Sequence, residues 1–405
     1  MNRITNHELL LHCLRKEPEA SELERLTESD WHDLIQQARS HAVLYLLYHR
    51  LKKRNLDSYI PADILQTVRT EYFEQAWRNN SLYNDLSKIL KALQQENIPV
   101  ILLKGAHLAQ IVYSNIALRP MSDIDILVKK NDLPKAKDLL LELGYTPLKD
   151  IDIATACASS QHLPPMVKQD APPVELHWTI ENSTRPFTID IEGLWQRAQP
   201  TSVGGVDTLT LSPDDLLLHL CLHTSVHHLF SNGLRAFCDI LEIIRHYQDE
   251  LDWKTVQRRA EEWGVSNAVY LTLYLAKSLL SADVPEALFN ELRPENCAES
   301  IAEAEVLIFN GPDIDRQLFA NPQSCKLFVS KSFLETATLF LQRIFLPRET
   351  MAQLYELPID SLRIPLYYPV RLKDLLVRHS HTVWRIWRRD KATSRQFQLI
   401  DWLSR

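Results

Sequence analysis

Glycine is unusually scarce in this sequence. The 405 residues include only 8 glycines, which is about 2% of the chain against a usual ~7%. Glycine supplies the positive φ that tight turns need, so its scarcity argues against collagen-like, glycine-rich linker and many-turned all-β architectures. The composition favours long helices instead, and each glycine beside a chemically suggestive residue becomes informative.

The sequence also lacks the patterns of disulfide-rich, zinc-binding and membrane proteins. None of its 6 cysteines forms a C-x-x-C pair, which argues against a disulfide framework or a zinc knuckle and fits a reducing compartment. No run approaches the ~18 consecutive apolar residues of a membrane span, and the first residues lack the apolar core of a signal peptide. We therefore expect a soluble, cytoplasmic protein with no membrane span.

An excess of positive charge is also missing. The formal net charge is −7, from 45 basic and 52 acidic residues, which does not suit a protein that coats nucleic acid. The charge is uneven, because residues 361–405 contain ten lysines and arginines against three aspartates. This basic tail could dock an anionic acceptor, a nucleic acid or a membrane surface, or it could be a solvated helix face that balances an acidic body.

The apolar spacing changes from helical to strand-like in the middle of the chain and then back again. Short β-branched runs predict strands over 98–103, 124–128 and 174–178, with helices over 106–113 and 133–143. The sequence thus predicts an α+β protein, with a small α/β core flanked by N- and C-terminal helical segments. Its expected regions are an N-terminal helical region (1–79), the α/β core (80–200), a helical domain (201–296) and a C-terminal helical region with the basic tail (297–405).

Two carboxylates on the second predicted strand indicate a metal site. Asp123 and Asp125 are two residues apart, so both point to one face of the strand. Side by side they repel each other, and a divalent cation such as Mg²⁺ relieves that repulsion. Gly105, at the turn after the first strand, lets the backbone approach a ligand closely, and the helix behind it offers free N–H groups to a phosphate.

A third carboxylate lies on a later strand. Glu175 and His177 share one face of the predicted strand 174–178 and alternate with apolar residues. Glu175 is our candidate for the third acid of the site, although Asp152 or Asp170 could take its role.

The helix after Pro213 carries a stripe of histidines. His219, His223 and His227 are spaced four residues apart, so they share one helix face. They either line a cleft and contact phosphate, base or acceptor, or they are hydrogen-bonded residues at a domain interface. Farther along, the four-residue spacing of Arg235 and Asp239 predicts a helix-stabilising ion pair.

Taken together, these motifs resemble a known family. A glycine turn after a strand, an apolar-flanked Asp-x-Asp and a later acid are similar to the nucleotidyltransferase fold of DNA polymerase β and its relatives. The closer resemblance is to a bacterial group of uncharacterised nucleotidyltransferases. It rests on Leu103-Lys104-Gly105-Ala106, on Arg119-Pro120-Met121-Ser122-Asp123-Ile124-Asp125 and on Glu175-Leu176-His177-Trp178.

This resemblance implies an activity and a set of roles. The protein would transfer a nucleoside monophosphate from a nucleoside triphosphate such as ATP to an acceptor hydroxyl and release pyrophosphate. Asp123 and Asp125 would hold two Mg²⁺ ions, and Glu175 would complete the second metal site or help deprotonate the acceptor. The implied nucleotide-binding residues are Lys104, Gly105, Ala106, Arg119 and Ser122.

The acceptor implied by this reading is a small molecule, a sugar or a protein, since the acidic charge argues against a long nucleic acid. A second hypothesis remains open, in which the chain is a non-catalytic nucleotide-binding protein or a helical scaffold that binds a partner.

Overall fold

The computed structural model describes residues 6–15, 18–182, 185–310, 344–355, 358, 360–374 and 391–405. Residues 375–390 of the expected basic tail lie outside this part of the chain. Among the described helices, none combines the length and the apolar character that a bilayer crossing requires.

Helices precede the sheet. In the described part of the chain these are α1 (Asn6–Arg15), α2 (Ala20–Leu23), α3 (Glu28–Ser40), α4 (Leu44–Lys53) and α5 (Ala62–Gln95). At 1.5 Å per residue, the 34-residue α5 is roughly 50 Å long. It runs through the expected region boundary at residue 79.

Further helices interrupt and follow the sheet. Within and just after it lie α6 (Lys104–His107), α7 (Leu133–Glu142), α8 (Ile153–Ser159), α9 (Ile191–Arg197), α10 (Pro213–Leu222) and α11 (Leu234–His246). The remaining described helices are α12 (Trp253–Trp263), α13 (Ser266–Leu280), α14 (Glu286–Leu292), α15 (Ala298–Asn310), α16 (Arg348–Leu354) and α17 (Lys391–Leu403).

The described strands form one mixed sheet in the order β3-β4-β5-β2-β1-β7-β6. They are β1 (Ile101–Leu102), β2 (Ile124–Leu127), β3 (Thr146–Pro147), β4 (Met166–Val167), β5 (Val174–His177), β6 (Gln199–Val203) and β7 (Val206–Thr210). Pairing of β2 with β5 and of β1 with β7 is parallel, whereas β1 and β2 run antiparallel. The α+β class with helical flanks is thereby confirmed.

Two strands in the centre of this sheet determine where the acids lie. In the parallel pair of β2 and β5, Asp125 is directly opposite Glu175. Ile124 and Ile126, on the other face of β2, are fully buried in the core beneath the sheet. Burial of the isoleucines fixes the register, because a slip by one residue would turn the carboxylates into the apolar core and the isoleucines out of it.

The molecule has two large hydrophobic cores. One lies between the sheet, α7 and the second half of α5, which contributes Leu86 and Leu90. The other is mainly helical around α13 and includes Val68 from the first half of α5, Phe397 from α17 and also Leu127 from β2. Helices from before and after the sheet thus share one core.

Several expected boundaries differ from the observed elements, and the strand expected over 98–103 spans only Ile101–Leu102. The helix expected at 106–113 begins earlier, at Lys104, and becomes a π-helical turn over Leu108–Val112. The sheet continues beyond residue 200, because β7 pairs with β1 and ends at Thr210. The division into four regions stays a prediction.

A buried ion cluster joins the sheet side of the molecule to the helical core. The Asp215 carboxylate on α10 is fully buried and accepts hydrogen bonds from Arg197 Nε at 2.9 Å, Arg259 Nη1 at 2.9 Å and Ser212 Oγ at 2.8 Å. Arg197 ends α9, whereas Arg259 lies on α12. One carboxylate thus neutralises guanidinium groups from two different parts of the fold.

We expect Asp215→Asn to lower the free energy of unfolding by about 3 kcal/mol, because the buried Arg259 and the half-buried Arg197 lose their closest carboxylate. The measurement is the urea midpoint followed by circular dichroism. Arg258→Gln is the matched control, since the exposed Arg258–Glu262 pair is worth less than about 0.5 kcal/mol. Equal midpoints for the two variants would contradict the role given to Asp215.

Candidate functional site

A cavity of about 410 Å³ lies over the face of the sheet that carries the acids. Its floor comes from β2, β5 and the turn after β1, and its opposite wall comes from the segment between α10 and α11. Ala106 is not among the lining residues; it is buried, and its carbonyl accepts a hydrogen bond from Tyr83. The other predicted site residues all line this cavity: Lys104, Gly105, Arg119, Ser122, Asp123, Asp125 and Glu175.

Asp125 is the most deeply buried of the acids. Its Oδ1 atom accepts hydrogen bonds from Lys104 Nζ at 2.8 Å and from His177 Nε2 at 2.9 Å. Burial alone would raise the pKa of Asp125, but Lys104 and His177 outweigh it and hold this pKa well below its usual range. Oδ2 has no hydrogen-bond partner among the described residues, so one oxygen of an ionised carboxylate remains open to a ligand.

Asp123 precedes β2 and is half buried. Its carboxylate makes no hydrogen bond or ion pair within the described chain. Burial raises the pKa of Asp123, and repulsion from Asp125 raises it further. A carboxylate in this position gains from a cation that neutralises it.

Glu175 lies between two histidines. Its Oε2 atom is 3.4 Å from His177 Nε2 and 3.8 Å from His162 Nε2. His162 donates from Nδ1 to the Leu163 carbonyl at 2.7 Å, which fixes its ring beside that of His177. The two histidines thus place ring nitrogens next to the acids.

The ligand atoms of Asp125, Glu175 and His177 lie within 4.8 Å of one another, close enough to hold one metal ion. Asp123 lines the same cavity but is outside this close group. Oxygen donors suit Mg²⁺, while the imidazole of His177 would also suit Mn²⁺ or Zn²⁺. The donor set therefore fits a divalent cation, and His177 is a site residue to which the sequence analysis gave no role, although its position two residues after Glu175 placed it on the same face.

The alternatives to Glu175 lie elsewhere. Asp152 is the N-cap of α8, where its side chain accepts a hydrogen bond from the Thr155 amide at 2.9 Å. Asp170 is an exposed residue in a turn with φ of 57°. Neither lines the cavity, so Glu175 is the third carboxylate that faces it.

Lys104 holds its position by an unusual backbone conformation. Its φ of 45° lies in the left-handed region, which costs a non-glycine residue of order 1–3 kcal/mol. Its side chain is mostly buried, and although burial opposes it, the charge of Asp125 raises the pKa of Lys104. The strained residue is thus the one that delivers a fixed positive charge to the acids.

Gly105 makes room for Arg119. A Cβ atom at position 105 would clash with the guanidinium of Arg119 and press on the side chain of Met121. The backbone of Gly105 is not in the left-handed region. Position 105 therefore holds a glycine because the guanidinium of Arg119 lies so close to its backbone.

The predicted pairing of Arg235 with Asp239 is wrong. Asp239 accepts hydrogen bonds from Arg119 Nη2 at 3.1 Å and from the Tyr113 hydroxyl at 2.8 Å, so a partner 120 residues away in sequence has replaced the local one. The guanidinium of Arg235 makes no ion pair or hydrogen bond in the described chain. It lines the cavity, and burial together with the nearby charge of Arg119 lowers its pKa.

The histidine stripe divides between the cavity and the core. His223 and His227 line the cavity together with His228. His219 is buried beneath them, and neither of its ring nitrogens has a partner within the described residues. Burial, followed by the positive charge of Lys104, lowers the pKa of both His219 and His223 well below the usual range.

The model of a protein family described as uncharacterised nucleotidyltransferase matches residues 27–281, which is more than half of the chain. The chain belongs to this nucleotidyltransferase family. No curated protein and no solved structure matches the sequence. The matched residues include the sheet, every predicted site residue and the wall that carries the histidines.

Membership of the nucleotidyltransferase family supports transfer of a nucleoside monophosphate in general and implies a nucleoside triphosphate substrate. The site has the corresponding charge pattern, with carboxylates on the sheet and two guanidiniums facing them.

We expect Lys104→Gln to raise the affinity for Mn²⁺ in the absence of nucleotide by about tenfold, since a neighbouring positive charge no longer competes for Asp125. The measurement is a Mn²⁺ titration followed by electron paramagnetic resonance. Lys88→Gln, which removes an exposed lysine on α5, should leave the affinity unchanged. A weaker Mn²⁺ affinity in the Lys104 variant would argue against a cation site at Asp125.

Proposed function

We propose that this protein transfers a nucleoside monophosphate from a nucleoside triphosphate to a hydroxyl group of a small molecule, a sugar or a protein, with release of pyrophosphate. The reaction would depend on Mg²⁺. The observation that carries the proposal is the placement of Asp125 opposite Glu175 on adjacent strands, with the unpaired carboxylate of Asp123 in the same cavity, in a chain of this family.

The three acids would hold the cation. Oδ2 of Asp125 and the carboxylate of Asp123 are free of hydrogen bonds among the described residues, and Glu175 lies within reach of both Asp125 and His177. Mg²⁺ bound here would neutralise the triphosphate and stabilise the charge that develops on its oxygens. The residues of the chain would fix the geometry in which attack on the α-phosphate takes place.

Cations from three directions would bind the triphosphate. Lys104 and Arg119 are already oriented by Asp125 and Asp239, which keeps their side chains ordered before a substrate arrives. Arg235 has no such partner in the part of the chain that the structure describes, so a phosphate would be the first anion to bind it there. Ser122 is exposed at the rim of the cavity and offers a hydroxyl donor.

One observation favours the alternative of a non-catalytic nucleotide-binding protein. Lys104 and His177 both bind the Asp125 oxygen Oδ1, so part of the cation site is already neutralised. In that case the cavity would bind a nucleoside triphosphate without cleaving it. The two candidates differ in pyrophosphate release.

The test uses α-labelled ATP, GTP, CTP and UTP with Mg²⁺, the purified protein and a panel of hydroxyl acceptors. We expect labelled nucleoside monophosphate to appear on an acceptor, together with pyrophosphate. Asp123→Asn and Asp125→Asn should each lower the rate at least about 100-fold, because a ligand of the cation is lost.

Asp138→Asn, an exposed aspartate on α7, is the matched control and should retain the full rate. Nucleotide binding without any pyrophosphate release from the wild type would support the non-catalytic alternative. Full activity in the Asp123 and Asp125 variants would refute the assignment of the acids.

A further inference from the structure

A histidine of the helical wall is held by a buried carboxylate. His227 closes the π-helical turn His223–His227, and its Nε2 atom lies 3.0 Å from Oε2 of Glu181. Glu181 follows β5 by four residues and is only 3% exposed. The contact therefore links the helical wall of the cavity to the sheet.

Glu181 is ionised in this arrangement. Its Oε1 atom accepts hydrogen bonds from the Asn182 amide at 2.8 Å and from Arg185 Nε at 3.1 Å. Burial would raise the pKa of Glu181, but its interaction with His227 and the charge of Arg185 outweigh burial and lower this pKa. A carboxylate in this state only accepts hydrogen bonds.

The charge of Glu181 determines the tautomer of His227. Because the carboxylate only accepts, Nε2 of His227 must donate and carry the proton. In the neutral ring Nδ1 then has a free lone pair and acts as a base. Nδ1 makes no hydrogen bond with any described residue, and His227 lines the cavity that holds the acids.

The neighbouring histidines have other contacts or are buried in the core. His223 and His228 face each other, with their Nε2 atoms 3.0 Å apart. His219 lies in the core, and His162 is bound to the Leu163 carbonyl. Within the described part of the chain, His227 is thus the cavity histidine whose orientation is fixed by a carboxylate while its second nitrogen stays free.

We propose that His227 is the general base of the transfer reaction and that Glu181 is its positioning residue. Nδ1 of His227 takes the proton of the acceptor hydroxyl while the acceptor oxygen forms its bond to the α-phosphorus. The bond from the α-phosphorus to the bridging oxygen breaks, and pyrophosphate leaves with the electron pair. Glu181 stabilises the imidazolium that results. This inference rests on the proposed function and assigns the proton transfer that Glu175 could otherwise perform.

The surroundings of the acids explain why they would bind the cation while His227 accepts the proton. Asp125 is held by Lys104 and His177. Glu175 belongs with Asp125 and His177 to the group of side chains that could hold one metal ion. A carboxylate that binds a cation is a poor proton acceptor, because the cation lowers its affinity for a proton. His227 lies outside that group.

The experiment combines ¹⁵N NMR with kinetics on the full chain. The ¹⁵N shifts of His227, assigned by comparison with His227→Gln, should show a protonated Nε2 and an unprotonated Nδ1 in the neutral ring, and Glu181→Gln should remove this preference.

The kinetic experiment uses labelled ATP and Mg²⁺, with glycerol and water as the acceptors of the nucleotide. His227→Gln should lower kcat by about 100-fold while the affinity for ATP stays unchanged. Added imidazole should restore part of the rate of His227→Gly.

His246→Gln is the matched control, since His246 is exposed on α11 away from the cavity, and it should retain the wild-type rate. A protonated Nδ1 in the neutral ring, or an unchanged kcat in His227→Gln, would overturn the assignment of the base while the proposed function stands. A wild type that transfers no nucleotide would overturn both.

Discussion

Like charges on adjacent strands repel each other, and the pairing of β2 with β5 forces this repulsion on the protein. Asp125 lies opposite Glu175, and Asp123 is two residues before Asp125 on the same face. The register cannot relax, because Ile124 and Ile126 are buried on the other face. The surrounding charges are arranged around this fixed concentration of negative charge. Lys104 and His177 hydrogen-bond to Asp125, whereas the Asp123 carboxylate makes no hydrogen bond or ion pair within the described residues.

The two halves of the cavity differ in chemistry because they come from two different cores. The sheet side provides the acids, whereas the helical side provides Arg235, His223 and His227. A substrate that carries both phosphates and a hydroxyl needs both kinds of group. Because Glu181 follows a strand and His227 belongs to the helical wall, their hydrogen bond aligns the base with the acids across the boundary between the cores.

Much of the sheet and the acid site could be predicted from local sequence. Alternation of acidic and apolar residues placed Asp125 and Glu175 on strands, and the observed strands Ile124–Leu127 and Val174–His177 agree. The family resemblance is confirmed over residues 27–281. These features depend on neighbours within a few residues, where a period of two is a direct consequence of backbone geometry.

The features that escaped sequence analysis depend on contacts between distant segments. The spacing of Arg235 and Asp239 predicted a helix pair, but Asp239 binds Arg119, which comes from a loop before β2. Nothing in the sequence marks Lys104 for a positive φ, and the local reason expected for Gly105 was a close ligand. The spacing of the histidines predicted that they share one helix face. Only the structure reveals that Glu181 binds His227.

The Arg119–Asp239 ion pair has a consequence for the whole cavity. Arg119 lies against Gly105 at the floor, and Asp239 lies on α11 in the helical wall, so the pair fixes the distance between the two sides. Tyr113 adds a second hydrogen bond to Asp239 from the segment after β1. Since Asp239 is used in this way, Arg235 has no anionic partner among the described residues and lines the same cavity as the acids. The contact that holds the walls in place therefore also occupies the carboxylate that the sequence spacing assigned to Arg235.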